Sequence, residues 1–437
     1  MTSPPPASPT ANIGAAAARG IEDPFDAFNA ASGQGNVRDP YPLFAEMRRN
    51  AGVHRIEMPQ GKAGAATASP LLQALGGQVF LAVSYAAVKE VLTDAERFTS
   101  RGYAQSMGLV MGHSILEMDG AEHTGHRRLL NRAFTRAALI RWERDLVRPA
   151  IDRYIDAFVE SGRGDLVRGL CFPFPVEVIA GMIGIPESQH ADFHRLAVEL
   201  ISVSFNFEQG KAASQQLGEM FRPLVEERRV NPGADLISVL AAAEVDGVKL
   251  DDEQIFAFLR LLAPAGAETT YRSSSNLLFG LLSNPAQLEA LREDPSLMPQ
   301  AIEEGIRWEG PLLTIMRTAT CDTKVDGVAI PKGASVAVNL GSANRDERAF
   351  EDPERFDIQR EHTVPHMGFA FGSHLCLGMH LARMETRVLL EALFERLPGM
   401  RLDPEADDIH ITGMVFRSPL SLPVVFEPGP VTRAGAS

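Results

Sequence analysis

The chain has 437 residues, of which 45% are hydrophobic and 22% are charged, a composition typical of a globular protein with a large core. Its formal net charge of −14 argues against nucleic acid as a partner, because phosphate backbones bind basic surfaces. Cys171, Cys321 and Cys376 are far apart and include no Cys-x-x-Cys pair, so we expect neither a disulfide framework nor a structural zinc site. This cysteine usage is typical of a reducing cytoplasm, which is the expected location.

The N-terminal stretch is rich in Pro, Ala and Ser, which predicts a disordered tail over residues 1–34. It has neither a basic n-region nor an apolar h-region, so we expect no secretory signal. The longest apolar run begins at Ile255 and is interrupted by Arg260 and Pro264, whereas a bilayer span requires about 18 apolar residues. We therefore expect no membrane anchor.

The first predicted elements after this tail are a helix and two strands. The stretch "DPYPLFAEMRRN" predicts a turn followed by a helix, and "GVHRIE" and "QVFLAVS" predict two strands of one sheet. Residues 59–78, between those strands, are rich in Gly, Ala and Ser and predict a surface insertion. The stretch "YAAVKEVLTD" then predicts a short helix.

Helical periodicity dominates the middle of the chain, from residue 119 to residue 312. Short strands are predicted at 323–340, a long amphipathic helix at 377–396, and further strands near the C-terminus. The predicted fold class is therefore mainly α with a small β region. Because the β segments come from both ends of the chain, we expect one interleaved domain over residues 35–428 and a flexible C-terminal tail over 429–437.

The stretch "FAFGSHLCLG" at 369–378 concentrates residue types that suit a ligand site. Cys376 stands directly before the long helix, where the helix dipole and free N–H groups stabilise a thiolate. Gly372 and Gly378 would let the backbone pass close under a flat cofactor, and Phe369 would shield the sulfur from water. The alternative for Cys376 is a buried core cysteine.

The spacing Phe-x-x-Gly-x-His-x-Cys-x-Gly resembles the haem-binding signature of the cytochrome P-450 family, soluble bacterial type. The resemblance implies a triangular helical body with haem b between a distal helix and the loop and proximal helix that contain Cys376. It also implies that Cys376 is the thiolate ligand of the iron, which favours O–O cleavage. Four ordered motifs extend this resemblance over roughly residues 35–427.

The second motif, Ala265-Gly266-Ala267-Glu268-Thr269-Thr270, resembles the family's distal-helix motif. Gly266 would let the haem face approach the backbone, Thr269 would divert a backbone hydrogen bond, and Glu268 would relay protons. Pro264 is unusual here and is expected to kink the helix, at about 3 kcal/mol unless compensated. The alternative is a polar interruption in a core helix.

The third motif is a charge triad. Glu304 and Arg307 share a helix face at i and i+3, and they resemble the family's Glu-x-x-Arg pair. The resemblance implies that Arg355, in "FEDPERFD", completes a buried structural triad behind the cysteine loop. Taken alone, such pairs are usually solvated surface charges.

The fourth feature is a set of donors for the two haem propionates. The resemblance implies that His123 and Arg127, four residues apart near a helix start, bind the propionates together with Arg317 and His374. Taken alone, each of these residues would more often be an ordinary surface residue. The interpretation as propionate ligands depends on all four occurring in the order that the family shows.

The resemblance implies a monooxygenase that takes two electrons, indirectly from NAD(P)H, and uses O2 to hydroxylate or epoxidise a hydrophobic small molecule. A terpenoid, steroid, fatty acid or aromatic would fit the apolar candidate pocket residues, which are Leu109, Val110, Leu262, Ala265, Leu313 and Val415. One alternative is a peroxide-driven peroxygenase, which the Glu268-Thr269 pair argues against. The other is a non-catalytic haem-binding sensor.

The chain shows no flavin or iron–sulfur segment, so electrons are expected from a separate ferredoxin or flavodoxin and its reductase, with the enzyme a monomer. The stretch from His123 to Trp142 contains no Asp or Glu. Its arginines predict a basic docking patch for an acidic ferredoxin, with Arg127 turned inward to the haem; Arg383 and Arg387 are candidate additions to that patch. The alternative is an ordinary solvated helix face. The arginines of the stretch are Arg127, Arg128, Arg132, Arg136 and Arg141.

Overall fold

The structure is a computed structural model that describes residues 35–56, 78–201, 207–245, 247–361 and 363–432, together with Phe25 and Asn29. Helices make up most of these residues, and the strands form a five-stranded sheet and several smaller ones. The predicted class, mainly α with a small β region, is confirmed. The predicted insertion at 59–78 lies outside the described residues except at its last position.

The helices are numbered in chain order. They are α1 (Tyr41–Asn50), α2 (Tyr85–Thr93), α3 (Gly108–Met111), α4 (Gly120–Ala133), α5 (Arg136–Trp142), α6 (Arg148–Asp156), α7 (Pro173–Ile183), α8 (His190–Ile201), α9 (Phe207–Val230), α10 (Leu236–Ala241), α11 (Asp252–Ser283), α12 (Pro285–Glu293), α13 (Met298–Trp308), α14 (Leu340–Ala343) and α15 (Met379–Arg396).

The strands are also numbered in chain order. They are β1 (Val53–Ile56), β2 (Val79–Ala82), β3 (Phe98–Thr99), β4 (Arg163–Asp165), β5 (Glu244–Val245), β6 (Val248–Lys249), β7 (Thr314–Ala319), β8 (Thr323–Val325), β9 (Val328–Ile330), β10 (Ser335–Asn339), β11 (Arg401–Leu402), β12 (Ile411–Thr412), β13 (Ser418–Pro419) and β14 (Pro423–Val425).

The largest sheet combines strands from distant parts of the chain, in the order β1-β2-β10-β7-β3. Strand β10 is parallel to β2 and antiparallel to β7, with Val336 opposite both Phe80 and Arg317. This register places the Arg317 side chain on a buried position of β7. The smaller pair β12–β13 forms a hairpin that packs against α11.

Helix α11 is the centre of the largest core cluster and contacts α7, α9, α13 and α15. A capping box starts it: the Asp251 carboxylate accepts from the Gln254 N–H, and the Gln254 side chain accepts from the Asp251 N–H. The helix continues through Pro264 without ending, although Pro264 cannot donate to the Arg260 carbonyl. This continuity carries the Gly266–Thr270 motif through the middle of the molecule.

The loop before α15 has a backbone conformation that requires glycine. Gly372 has φ of +75°, and a Cβ on it would lie 2.2 Å from the carbonyl oxygen of Leu92 in α2. Any side chain there would therefore clash with backbone that cannot move away cheaply. The loop is held against α2 at this point.

Two residues of the N-terminal stretch depart from the prediction of a disordered tail. Phe25 and Asn29 are helical and buried, with exposed fractions of 2% and 4%. The Phe25 ring contacts Phe172 and Tyr271, at centroid distances of 4.7 and 6.1 Å. The rest of 1–34 lies outside the described residues.

No helix in the described part of the chain is long and apolar enough to span a bilayer.

Candidate active site

Cys376 lies in the loop directly before α15, surrounded by hydrogen-bond donors. Its N–H donates to the Phe369 carbonyl oxygen over 2.9 Å, and the Gly378 N–H donates to its sulfur. Burial raises the pKa of the Cys376 thiol, whereas the Gly378 N–H and the guanidinium groups of Arg127 and Arg383 act in the opposite direction. The pKa of this thiol is raised overall, and the neighbouring donor and positive charges partly offset the effect of burial.

The other two cysteines have no such surroundings. Cys171 is fully buried in the core, and burial raises the pKa of its thiol. Cys321 is exposed in the turn after β7. Of the three, Cys376 is the one whose environment suits a metal ligand.

The basic residues predicted to bind propionates are brought together beside this loop. The rings of His123 and His374 lie 4.2 Å apart, and the charges of Arg127 and Arg317 both lower the pKa of His123, after the larger effect of burial. Burial, followed by Arg317 and His123, lowers the pKa of His374 to about 4. Helix α4 supplies two of these residues, β7 the third and the cysteine loop the fourth.

Within the described residues, the one carboxylate that acts on this basic cluster is Asp119, so its positive groups outnumber its acidic ones. The His123 Nε2 is buried and has no hydrogen-bond partner within the described chain. Neither Arg127 nor Arg317 forms an ion pair with a described residue, and burial lowers the pKa of both. Because unpaired buried charge is costly, the cluster is suited to bind an anion.

Asp119 is a residue of this cluster that the sequence interpretation missed. It precedes α4, and its Oδ1 lies 3.5 Å from the His374 Nε2. Its other carboxylate oxygen accepts from the Thr99 hydroxyl, and the Ser100 hydroxyl lies 3.2 Å from the His374 Nε2. These contacts fix the His374 ring beside His123.

On α11, the two predicted proton-transfer residues, Thr269 and Glu268, have different surroundings. The Thr269 hydroxyl donates to the Ala265 carbonyl over 2.7 Å, as expected for a threonine that back-bonds within its helix. Glu268 is 3% exposed and forms a buried ion pair with Arg272, whose Nε lies 2.6 Å from Oε1. Burial raises the pKa of Glu268, against the lowering effect of Arg272. The carboxylate is therefore bound to Arg272 and does not face solvent.

The structure shows a packing reason for Gly266. A Cβ on Gly266 would lie 2.7 Å from Ile179 Cδ1 of α7, so the glycine allows close packing of α11 on α7. A Cβ on Gly378 would meet nothing within 4 Å, so the space beside this residue is open. The cofactor contacts expected of both glycines stay predictions.

The charge triad forms with a different third member. Glu304 and Arg307 form a doubly hydrogen-bonded pair, at 2.7 and 2.8 Å, with both side chains fully buried. The predicted third member was wrong: the Arg355 side chain is 64% exposed and pairs with Asp357. Arg360 takes that place, with its Nε 3.2 Å from the Glu304 Oε1.

Phe369 packs against the large core cluster and is also in contact with a guanidinium. Arg383 lies 4.6 Å from the Phe369 ring centre and donates to both carboxylate oxygens of Glu303, at 2.6 and 2.8 Å. Glu303 also lies 3.1 Å from the His366 Nε2, and these two partners hold its pKa at about 2 against the effect of burial. Glu303 and His366 were not among the predicted site residues.

The predicted pocket residues do not form one group. Val110 and Leu262 are buried in the large core, and Ala265 is exposed on α11. Leu109 and Val415 are exposed, at 62% and 48%. Leu313 is fully buried in a separate cluster with Tyr41 and Phe44.

Comparison with known proteins identifies the family. The family model for cytochrome P450 matches residues 189–407. The chain is 34% identical over 386 residues to cytochrome P450 monooxygenase PikC of Streptomyces venezuelae, covering 85% of this chain and 87% of that protein. It is 36% identical over 323 residues to steroid C26-monooxygenase of Mycobacterium tuberculosis (strain ATCC 25618 / H37Rv), covering 72% of this chain and 81% of that protein.

A solved structure shows the same fold. CYP109E1 from Bacillus megaterium, in complex with testosterone, matches with a TM-score of 0.77 and 30% sequence identity, covering 89% of this chain and 99% of that chain. The chain therefore belongs to the cytochrome P450 family, and the predicted fold and enzyme class, a cytochrome P450 monooxygenase, are confirmed. Membership of this family implies a haem-thiolate cofactor.

The residues present fit that cofactor. The orphaned His123 Nε2 and the guanidinium groups of Arg127 and Arg317, which form no ion pair within the described residues, supply the donors that two propionates require. Cys376 supplies a sulfur with a backbone donor, and the open space beside Gly378 leaves room for a flat ring. This chain thus has basic groups suited to the haem propionates and a cysteine suited to the haem iron.

Proposed function

We propose that this enzyme binds haem b through the Cys376 thiolate and transfers one oxygen atom of O2 to a C–H or C=C bond of a hydrophobic small molecule. The second oxygen atom leaves as water, with two electrons from a separate redox partner and two protons. The observation that carries the proposal is the unpaired basic cluster beside Cys376. Bound haem supplies the oxygen activation, and the residues of this chain bind, shield and protonate.

Each residue around Cys376 has a distinct proposed task. The thiolate of Cys376 holds the iron, and the Gly378 N–H withdraws charge from its sulfur. His123, Arg127, Arg317 and His374 bind the propionates, which compensates their buried charge. Phe369 excludes water from the sulfur, and Arg383 fixes that ring in place.

Glu268 and Thr269 are the proposed proton-transfer residues. The Thr269 hydroxyl already interacts with the Ala265 carbonyl, so it can exchange that bond for one to a water or a ligand in the pocket. The Glu268 carboxyl group donates the proton, and positioned proton transfer typically contributes about 10²–10⁴-fold in rate. Their presence favours use of O2 over use of hydrogen peroxide.

The proposed substrate is a bulky hydrophobic molecule such as a steroid or terpenoid. Large apolar side chains are exposed on α3 and at the tip of the β12–β13 hairpin, where Leu109, Met414 and Val415 have exposed fractions of 62%, 42% and 48%. Met414 and Val415 are neighbours at this tip, and exposed apolar side chains that lie side by side are typical of a surface that receives an apolar ligand. The names of two similar proteins, a steroid C26-monooxygenase and a testosterone complex, agree with this class.

The proposed electron donor is an acidic ferredoxin that docks on α4 and the start of α5. Arg128, Arg132 and Arg136 are exposed and form no ion pair with a described residue. The two arginines suggested as additions to this patch are neutralised, because Arg383 pairs with Glu303, and Arg387 pairs with both Glu143 and Glu391. Within this candidate patch, the arginines that form no ion pair with a described residue therefore lie on α4 and at the start of α5.

The proposal is tested by the spectrum of the reduced protein with carbon monoxide. The wild type should show the thiolate-haem band that names the family, and Cys376→Ala should lose it while Cys171→Ala and Cys321→Ala keep it. Retention of the band in Cys376→Ala would refute the assignment.

Turnover then separates monooxygenase from the alternatives. With ferredoxin, reductase and a steroid probe such as testosterone, NAD(P)H consumption should match product formed. A peroxygenase would need hydrogen peroxide instead, and a sensor would show a Soret shift without product.

A further inference from the structure

Arg272 lies one helical turn after Glu268 on α11 and is fully buried. Its Nε and Nη2 both approach the same oxygen of Glu268, at 2.6 and 2.5 Å. A buried arginine with a single carboxylate partner is costly unless its other donors are also satisfied. The partners of those donors show what else holds this ion pair.

The remaining donors of Arg272 connect it to two distant segments. Its Nη1 donates to the Ser418 hydroxyl of the β12–β13 hairpin over 2.8 Å. Its Nη2 donates to the Asn29 side-chain oxygen in the N-terminal segment over 3.2 Å. The guanidinium also lies 5.4 Å from the ring centre of Phe416, in the same hairpin. Arg272 therefore links Glu268 to the hairpin whose tip carries Met414 and Val415.

The position of Glu268 in this pair keeps it away from the alcohol that it is proposed to serve. Consecutive residues of a helix point about 100° apart, and Thr269 donates to Ala265 rather than to Glu268. The Glu268 carboxylate accepts from Arg272 and, at 3.5 Å, from the Tyr271 hydroxyl. Proton delivery toward the pocket therefore requires the Glu268–Arg272 pair to open.

We propose that Arg272 is a positioning residue that holds Glu268 in this closed arrangement, and that the hairpin controls this hold through Ser418. A substrate pressing on the exposed hairpin tip would move Ser418 and loosen Arg272, so that proton delivery is coupled to occupancy of the pocket. This inference rests on the proposed role of Glu268. It adds to that role the residues that restrain the acid, Arg272, Ser418 and Asn29.

The electrostatics around Glu268 make the proposal testable without turnover. Among the titratable groups in the described residues, Arg272 and Tyr271 are those that act on Glu268, both from α11 itself. The contacts from the hairpin and from the N-terminal segment come from Ser418 and Asn29, which do not titrate in this range. Loss of the Arg272 charge should therefore raise the pKa of Glu268 by about 1–3 pH units, as expected when a close opposite charge is removed.

The experiment is an infrared pH titration of the substrate-free holoprotein, in which the protonated-carboxyl band that disappears in Glu268→Gln reports Glu268. In Arg272→Gln the midpoint should move up, and Arg272→Lys should bring it back toward the wild-type value. Ser418→Ala and Asn29→Ala should move it in the same direction by less. Ser421→Ala is the matched control, because Ser421 donates to Asp165 and should leave the midpoint unchanged.

Two outcomes would overturn the proposal. One is a folded Arg272→Gln holoprotein with a wild-type midpoint and a wild-type share of NADH electrons lost as hydrogen peroxide. The other, decisive if Arg272→Gln does not fold, is a Ser418→Ala midpoint equal to that of Ser421→Ala. The carbon monoxide band tests the haem assignment separately, so failure of that assignment is distinguishable from failure of this one.

Discussion

The buried Glu304 carboxylate accepts a hydrogen bond from Arg360 and not from Arg355, the predicted partner. The Arg360 Nε lies 3.2 Å from the Glu304 Oε1 and the Arg360 side chain is 9% exposed. Arg355 contributes its backbone instead, since its carbonyl oxygen accepts from Arg307 and from Arg360. Two arginines that lie in the same loop thus have opposite exposure.

This relationship predicts unequal costs of substitution. Arg360→Ala removes a charged hydrogen bond from a buried carboxylate, so it should lower the free energy of unfolding by about 1.5–3 kcal/mol. Arg355→Ala removes an exposed ion pair and should cost about 0–1 kcal/mol. Urea unfolding of the two holoproteins, followed by circular dichroism, measures the difference. Equal losses in the two variants would mean that Arg360 is not a member of the triad.

The same loop shows why the sequence could name the pair but not its third partner. Glu304 and Arg307 are fixed on one face by helical spacing, which is a local property. Arg355 and Arg360 belong to a loop without periodicity, and only its backbone hydrogen bonds decide which side chain turns inward. Gly266 is a similar case: its contact with Ile179 comes from the packing of two helices, which one sequence does not reveal.

Other parts of the site were predictable because their signals are local. Gly372, two residues before His374, is required by a left-handed turn, and Cys376 stands just before the start of α15. The sequence spacing of the loop indicates both features. The ion pair of Glu268 with Arg272 also has a local signal, because the two residues are spaced i, i+4 on one helix. Its burial, however, depends on Asn29 and Ser418, which are far away in the sequence.

Thr269→Ala should separate electron consumption from product formation. Without the hydroxyl, proton delivery loses its terminal donor while the basic cluster and Cys376 are untouched. Haem content and the Soret response to substrate should therefore be unchanged, while product per NADH falls and hydrogen peroxide rises. The expected loss in coupled rate is about 10²–10⁴-fold.

The matched control for this variant is Thr270→Ala. Thr270 is buried on the other side of α11 and donates to Glu385, so it should not affect coupling. If Thr269→Ala remained fully coupled, Thr269 would have no part in proton transfer.

Glu385 should make stability fall as pH rises. It is buried in α15 with only the Thr270 hydroxyl as a hydrogen-bond partner for one oxygen and none, within the described chain, for the other. Burial raises its pKa to about 8, compared with about 4.3 in an unfolded chain. Between these values the folded state keeps a proton that the unfolded state releases, so stability declines with increasing pH across that window.

Glu385→Gln should remove this decline, because the amide stays neutral and has nearly the same shape. Near pH 4 the variant and the wild type should unfold at similar urea concentrations, and above pH 8 the variant should be the more stable of the two. Conversely, an advantage of the variant that stays the same at every pH would show that Glu385 does not titrate in this window.

Docking of the electron donor should depend on the exposed arginines of α4. Arg128 and Arg132 face solvent without acidic partners in the described structure, in a protein whose net charge is −14. Opposite charges across such an interface mainly accelerate association, and salt screens them over about 8–10 Å. Charge reversal in Arg132→Glu should therefore slow reduction by an acidic ferredoxin at low ionic strength, and the difference from wild type should shrink as salt is added. Stopped-flow measurement of the first electron transfer tests this, with the Soret titration of substrate expected to stay unchanged.

Arg49→Glu, an equal charge reversal at an exposed position of α1, is the control. If it slowed reduction as much as Arg132→Glu, the effect would reflect net charge rather than a docking surface on α4.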